Sequence, residues 1–450
     1  MGDAGQGTAA VAEAMAESGR RWSEGSLPLP LVLRSAEAAS GALRELASAP
    51  GAAAASKGTV VMATVEGDLH DIGKNIASAI IACSGWRVVD LGTDVPAARI
   101  VEAARAEKAL AVGLSGLLTR SLDRMREVCA ALESSGSRVL ALCGGAAAEP
   151  GFVARFLEPE HPGLVVACAD AFAATRLLDG DGSAAGGRPE PGANLDAIPR
   201  KPASPIAPSA GARLEPGRLG AVELGPFGLD ELLGSLDEKT LFGPRWGYGR
   251  ADYGNAAREL EVLAARLRAE GFAGARALGG LFSCRRVGES LLEVEDPAGG
   301  PAASFSFPME PAPPRRCVAA YFSPEGDVVG LLAASVDEAL PRRARELREA
   351  GSYEEYWRLH GLGSALAEAA AELAHGRVSA MLRAAGSSLD GRRYSFGFPS
   401  CPGVERQGAL LDLIGAGRIG LSLTSGFQLK PEHSVTAFVV ARPDAEYFVA

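Results

Sequence analysis

The sequence predicts a multidomain chain, α/β and then α+β. A short helical pair leads into a flavodoxin-like doubly wound parallel sheet of Rossmann-like type, followed by a mixed α+β region. Three patterns predict this. Five short apolar runs, TVVMATV (59–65), WRVVDL (86–91), LAVGLS (110–115), RVLALC (138–143) and LVVACA (164–169), alternate with helical stretches. Continuous apolar strands joined by helical crossovers make a parallel sheet covered on both faces. A stretch rich in Gly, Pro, Ala and Ser at 179–217 then breaks the globular pattern and reads as a flexible linker. Beyond it, a long helical segment near 354–383 mixes with alternating runs such as RCVAAYF and SVTAFVVA. The domains expected are therefore 1–57, 58–178 and 218–450, with 179–217 as the tether.

Within the first of these, residues 10–47 carry apolar residues at three- and four-residue spacing, and Pro28 and Pro30 mark the break between two helices. Two helices alone bury little, so they must lean on another element. In the second, helices are expected near 72–84, 97–108, 121–135 and 149–157, with a last one after Asp170. Doubly wound sheets bind ligands at the carboxyl ends of their strands, so the βα loops are where chemistry is sought.

The bulk composition narrows the classes. A chain of 450 residues, 47% hydrophobic, can bury at least two cores. A net charge of -10 argues against nucleic acid or an anionic membrane as the main partner. No run approaches 18 unbroken apolar residues, and the start MGDAGQGTAA does not read as a signal peptide, so a cytoplasmic protein is expected. Seven cysteines without a CxxC indicate neither a zinc knuckle nor a disulfide framework.

The first βα loop carries the strongest signal. In EGDLHDIGKN (66–75), Asp68 stands two residues before His70 and Gly73 follows at the helix start. A histidine there can offer a neutral imidazole nitrogen to a metal. An aspartate can take the proton on the other nitrogen, fixing the tautomer and raising ligand basicity. Gly73 lets something bulky approach the helix. A lone DxH is usually a surface histidine beside an acid, but two neighbouring strand ends add to it. SGLLTRS (115–121) supplies hydroxyls at Ser115, Thr119 and Ser121, and CGG ends the fourth strand with Gly144 and Gly145. Small hydroxyls and bare backbone describe a slot for a flat, buried group.

EGDLHDIGKNI, DLGTDVPAARI, SGLLTRSLDRM and the CGG turn resemble the cobalamin-binding domain of the cobalamin-dependent methionine synthase family, whose DxHxxG…SxL…GG motif is intact over 58–178. The resemblance implies that His70 is the lower axial ligand of cobalt, replacing the cofactor's own dimethylbenzimidazole. It makes Asp68 and Ser121 a hydrogen-bonded relay behind that ring. It assigns Gly67, Asp71 and Gly73 to the cofactor-binding loop. Ser115, Leu117, Thr119, Gly144 and Gly145 would line the slot for the nucleotide tail, with Asp170 and Ala171 at its far end. Arg120 departs from the family, which more often has proline. The preceding RRWSEGSLPLPLVLRSAEAA is similar to the last part of the family's helical cap, with Trp22 and Leu29 placed over the upper face of the corrin. Only about half of the usual cap is present.

In the last domain, GRRYSFGFPSCPG (391–403) is a Gly/Pro-punctuated segment whose arginine could grip a carboxylate bidentately. It resembles the S-adenosylmethionine-binding RxxxGxPxC motif of the same family's activation domain. The blocks LDEKTLFGPRWGYG, GLFSCRRVGES, YWRLHGLGSALAEAAAELAH and SGFQLKPEHSV agree with this. The resemblance gives the ligand's amino group to Asp237 and its carboxylate to Arg393, with Gly397, Phe398, Pro399 and Cys401 shaping the pocket and Tyr447 a further contact. Phe398 replaces a common tyrosine. Glu368 and Glu372 face either the pocket or, as helix surfaces more often do, solvent.

The implied cofactors are cobalamin, carried as methylcobalamin, and S-adenosylmethionine, which remethylates cob(II)alamin with one electron. The implied function is the cobalamin-carrying and reactivating portion of a split, cobalamin-dependent methyltransferase of methionine biosynthesis. Its expected partners are homocysteine- and folate-binding methyltransferase subunits and a flavodoxin-like electron donor. The rival reading is a corrinoid shuttle and reactivation protein serving another methyltransferase.

Overall fold

The computed structural model describes residues 3–24, 27, 29–48, 56–117, 119–145, 148–180, 206, 211, 216–298, 300, 302–310, 314–384, 391–442 and 444–448. The chain divides into two compact units: Met1–Asn194 with Ala344–Arg358 and Thr424–Gly426, and Leu195–Arg343 with Leu359–Leu423 and Phe427–Ala450. Most of the expected linker lies outside the described residues.

The first unit opens with helices α1 (Asp3–Ser23) and α2 (Leu29–Ser48). Arg20 and Arg21 in the last turn of α1 complement its negative carbonyl end. Pro30, expected to lie in the break, is instead the second residue of α2. There its missing N–H would have had no helical acceptor, so the helix accepts it. The two helices share an apolar cluster of Met15, Val32 and Ala36 with Ile80, Cys83 and Phe172 from the helices behind them.

There follow β1 (Thr59–Thr64), α3 (Ile72–Cys83), β2 (Arg87–Asp90), α4 (Ala97–Ala106), β3 (Ala111–Ser115), α5 (Thr119–Ser134), β4 (Leu140–Gly144), α6 (Pro150–Phe152), β5 (Val165–Ala167) and α7 (Ala171–Leu178). Each strand falls inside one of the apolar runs, except that β4 continues one residue past its run to Gly144. The helix expected at 149–157 is the single turn α6, continued by the wider turn Val153–Leu157. The strands pair in parallel in the order β2-β1-β3-β4-β5. Alternation along β1 shows why the runs are continuously apolar. Val61 and Ala63 face one core with Ile100, Met125 and Cys129, while Val60 and Met62 face the other with Ile81 and Ala174. Burying one such side chain contributes roughly 1.5–3 kcal/mol. Strand order reverses between β1 and β3, so the loops after those two strands flank the crevice where this architecture takes ligands.

The second unit is built on an antiparallel sheet. Its elements include β6 (Gly220–Glu223), α8 (Leu229–Gly234), α9 (Glu238–Thr240), α10 (Tyr253–Ala269), β7 (Ala275–Val287), β8 (Leu291–Val294), β9 (Ala303–Ser306) and β10 (Asp327–Val336). After α11 (Ala339–Glu349) and α12 (Tyr353–Ala384), of which the stretch Ala344–Arg358 belongs to the first unit, come β11 (Arg392–Ser395), α13 (Gln407–Ile414), the short pair β12 (Ser422–Leu423) and β13 (Leu429–Lys430), and β14 (Ser434–Val440). The strand order is β11-β14-β10-β7-β8-β9, with β6 also pairing β7. Long α12 and SVTAFVVA, now β14, form as expected. RCVAAYF does not form a strand: Val318–Tyr321 is a 3-10 turn. Cys317, Val318, Ala319, Tyr321 and Phe322 are all buried in one core, a pattern that a turn pressed on the core can satisfy and a one-faced strand cannot.

Candidate functional site

The loop between β1 and α3 holds a carboxylate that accepts four hydrogen bonds. Oδ1 of Asp68 accepts from the His70 backbone N–H at 2.9 Å and faces His70 Nδ1 at 2.9 Å. Oδ2 accepts from Ser121 Oγ at 2.6 Å and from the Leu117 N–H at 2.7 Å. Asp68 is fully buried and Ser121 nearly so. Burial alone would raise the carboxyl pKa. The bonds from His70, Ser121 and Leu117 outweigh it and hold the group well below the usual carboxylate range. An ionised Asp68 only accepts, so His70 carries its proton on Nδ1 and presents Nε2 as the lone-pair nitrogen. The His70 side chain is 42% exposed while its partner is sealed.

The loop is fastened from behind. Thr64, at the end of β1, donates from Oγ1 to the His70 carbonyl at 3.3 Å. The loop after β2 contributes Asp94, whose Oδ1 accepts from the Gly67 N–H at 2.8 Å and whose own N–H donates to the Asp68 carbonyl at 3.0 Å. Below it, Lys74 is buried in the first turn of α3 with Nζ 2.6 and 2.7 Å from the Asp90 oxygens. Burial lowers its pKa against the pull of Asp90.

The neighbouring strand ends come close because they lack side chains. Gly145 adopts φ +106, and a Cβ there would overlap the Gly116 carbonyl oxygen. Gly144 and Gly73 differ: around Gly73 a Cβ would meet nothing within 4 Å, and at Gly144 only carbonyl oxygens at 3.9 and 4.0 Å. Open space therefore surrounds the α3 start at Gly73, and at the end of β3 Leu117 is exposed and Ser115 half-buried. A lone-pair nitrogen, a fixed tautomer and side-chain-free backbone beside it suit a flat, nitrogen-ligated group.

The other expected residues of this unit are placed as follows. Asp71 precedes α3 without a side-chain capping bond. Asp170 caps α7 by accepting from the Ala173 N–H at 2.7 Å, and Ala171 opens that helix. Thr119 begins α5, but its side chain lies outside the described residues, as does that of Arg120. Trp22 and Leu29 are half-buried against the α1–α2 cluster, which also takes Ile76 and Ala171 from the first turns of α3 and α7.

In the second unit, Arg393 on β11 points Nη2 at Glu368 Oε2, 2.8 Å away, and Nη1 at Ser395 Oγ, 3.3 Å away. Glu372 lies 3.9 Å from its Nε. So Glu368 faces Arg393 rather than solvent alone. Tyr447 donates to the Arg393 carbonyl at 3.0 Å and is itself exposed, as is Phe398. Gly397 turns at φ +94, Pro399 follows, and Cys401 is buried with its thiol pushed up to about 12 by burial. Asp237 is exposed and caps α9, accepting from the Thr240 hydroxyl at 2.6 Å and from the Lys239 and Thr240 amides. The Thr240 hydroxyl bond leads the lowering of its pKa. Arg393, Glu368, Glu372 and Tyr447 are thus brought together, while Asp237 is engaged locally.

Residues 58–175 match the B12 binding domain family, and residues 253–450 match the activation domain of vitamin B12 dependent methionine synthase. The chain is 28% identical over 503 residues to the methionine synthase of Mycobacterium tuberculosis, covering 96% of this chain and 42% of that protein. It is 29% identical over 527 residues to the methionine synthase of Mycobacterium leprae, covering 97% and 43%. A methanol–corrinoid protein of Methanosarcina barkeri is 39% identical over 137 residues, covering 30% of this chain and 53% of that one. The chain spans less than half the length of the two methionine synthases it matches.

Proposed function

We propose that this chain, which carries a B12 binding domain followed by a methionine synthase activation domain, is the cobalamin-carrying and reactivating portion of that methyltransferase. The observation that carries the reading is the four-bond Asp68 carboxylate behind His70, on a loop beside the Gly144–Gly145 turn. We take the functional domains as 58–178 and 218–450, with 1–57 as a partial cap.

Bound cobalamin supplies a cobalt centre that accepts a methyl group from a donor and passes it to homocysteine. Everything else falls to the protein's own side chains. His70 Nε2 would hold the metal. Whenever it does not, Nε2 could take a proton, and the buried Asp68 carboxylate, kept ionised by Ser121 and the Leu117 amide, would stabilise the resulting imidazolium. Ser115, Leu117, Thr119, Gly144 and Gly145 bound the slot for the nucleotide tail. Trp22 and Leu29 would help α1 and α2 exclude water from the bound group.

In the second unit, S-adenosylmethionine is the proposed ligand of the Arg393 pocket. Glu368 already puts a carboxylate against this guanidinium, the group that the ligand's own carboxylate would present. Asp237 would turn from its cap to the ligand's amino group. The methyl donor and acceptor sites, for methyltetrahydrofolate and homocysteine, lie outside residues 1–450, on separate subunits in this reading. A flavodoxin-like protein is the proposed electron source and the cytoplasm the proposed compartment. Among the described residues no helix is long and apolar enough to cross a membrane.

The test is electron paramagnetic resonance of paramagnetic cobalt bound to protein labelled with 15N-histidine. Ligation by His70 gives doublet splitting from 15N; the cofactor's own unlabelled base gives a triplet and refutes the assignment. Arg393→Met, measured by calorimetry, should weaken S-adenosylmethionine binding roughly 10–100-fold, the worth of a charged bidentate contact. A second reading, a corrinoid shuttle for another methyltransferase, is favoured by the methanol–corrinoid likeness. That match covers only the smaller part of the chain and leaves the activation domain unused.

A further inference from the structure

We infer that Asp94 is a positioning residue for His70, holding the metal-binding loop from the strand next door. The inference deepens the proposed function and rests on His70 being the cobalt ligand.

Three observations carry it. Asp94 grips the loop on both sides of the residue that orients His70: its carboxylate accepts the Gly67 N–H at 2.8 Å, and its amide donates to the Asp68 carbonyl at 3.0 Å. Second, the grip needs an unusual backbone. Asp94 sits at φ +56, in the left-handed region, which costs a side-chain-bearing residue energy unless the surroundings insist on it. Asp is one of the few residue types that tolerate this region. Third, the neighbouring backbone is pinned: Thr64 N–H donates to the Gly92 carbonyl at 3.0 Å, and Val95 N–H to the Thr64 carbonyl at 3.1 Å. The β2 loop is therefore fixed to β1, and Asp94 transfers that rigidity to the loop bearing Asp68 and His70.

The consequence is geometric. Asp68 fixes the tautomer of His70, and Asp94 fixes the backbone from which Asp68 reaches. Without the Asp94 carboxylate the Gly67 amide loses its anchor, and the imidazole samples orientations that a cobalt–nitrogen bond does not accept. Outer partners of metal-ligating histidines are worth roughly 10–100-fold in metal affinity.

The experiment uses the full chain and three variants. Asp94→Gly keeps the left-handed backbone and removes the acceptor. Asp94→Asn keeps both an acceptor oxygen and tolerance of that backbone. Asp94→Ala removes the acceptor with a different backbone cost, so that a folding failure of one acceptor-less variant leaves the other. Two readouts are taken: the cobalamin dissociation constant, and the 15N shifts of the His70 ring without cofactor, which report its tautomer. Asp94→Gly and Asp94→Ala should bind cobalamin about tenfold or more weakly and show mixed His70 tautomers, with Asp94→Asn close to the parent chain. Acceptor-less variants with unchanged affinity and an unmixed Nδ1–H tautomer would overturn the role of Asp94. Triplet rather than doublet splitting in the 15N-histidine parent would instead overturn the ligand assignment, so the two failures are distinct.

Discussion

Asp68 in the first unit is fully buried and takes four hydrogen bonds from three residues, whereas Asp237 in the second is exposed and caps the short helix beside it. Arg393 stands between the two: its side chain is only 15% exposed, while its partner Glu368 is about half exposed. The difference fits the ligands proposed for the two sites. A resident cofactor calls for groups locked before it arrives, so that little ordering remains to be done on binding. A ligand that enters and leaves each time it is needed is served by surface groups that trade a local partner for it.

Removing Asp68 should therefore be the most damaging change. Asp68→Ala leaves Ser121 Oγ, the Leu117 and His70 amides and the His70 Nδ1–H without their acceptor, the first in a buried setting and the others in partly buried ones. A loss of about 4 kcal/mol in the first unit is expected, the range for breaking a buried, charged network. Hydrogen exchange at the β1 amides Val60–Ala63 measures it. The matching Asp237→Ala should change β7 exchange by less than about 1 kcal/mol, as a lost cap at an exposed position does. Equal losses at the two positions would abolish the contrast.

Next comes Gly145→Ala. The added methyl meets the Gly116 carbonyl, at a φ of +106 that Ala avoids, so the ends of β3 and β4 must separate. Strain of this kind costs about 2–3 kcal/mol. Gly73→Ala, with open space around it, should leave stability within about 0.5 kcal/mol and reduce only cobalamin affinity.

Acid should separate the units. Burial, then His360 and Arg245, depress the pKa of His433 well below its ordinary value. The rings of His360 and His433 lie 4.7 Å apart, and Glu432 Oε1 is 3.2 Å from His360 Nε2. Neutral His433 therefore contributes stability above about pH 6.5, and this is lost as pH falls, because the unfolded chain takes up the proton first. The slope is at most about 1.4 kcal/mol per pH unit. Asp68 is also depressed, but its contribution persists until pH drops below about 4, where the unfolded carboxyl begins to protonate. Between pH 6.5 and 5, protection factors of the β14 amides, corrected for the slower intrinsic exchange at lower pH, should fall while those of β1 hold. His433→Gln should flatten the β14 response. An unchanged β14 slope in His433→Gln would remove histidine as the cause.

Much of this organisation is readable from residue patterns. Runs such as TVVMATV are apolar at every position because both faces of a parallel strand are buried, and this is why β1 to β5 fall where expected. Asp68, His70 and Ser121 were readable because their chemistry resides in side chains at motif spacing. What escaped has a physical reason in each case. The Leu117 donor is a backbone N–H, which every residue has, so no letter marks it. Asp94 acts through a left-handed backbone and a neighbouring loop, and its place in TDVP looks like an ordinary turn. Read from the sequence, Glu368 faces either the pocket or solvent, because it lies 25 residues from Arg393 on another element and only the tertiary fold joins them. RCVAAYF misled because its apolar density signals burial without fixing the period.

The smallest effect expected is at Tyr447. Its hydroxyl donates to the Arg393 carbonyl, but the ring is 58% exposed, so water replaces the bond readily. Tyr447→Phe should change β11 exchange by about 0.5 kcal/mol, the low end for a solvated hydrogen bond. Its value lies in ligand binding. The bond fixes the backbone of Arg393, and the same ring stacks on Arg392 with the guanidinium 5.6 Å from its centre. If Tyr447 orients the β11 arginine for an exchanging ligand, S-adenosylmethionine should bind severalfold more weakly to Tyr447→Phe while stability barely moves. If affinity and stability fall together, the second site is as preorganised as the first, and the contrast between a locked and a tradable site fails at its weakest member.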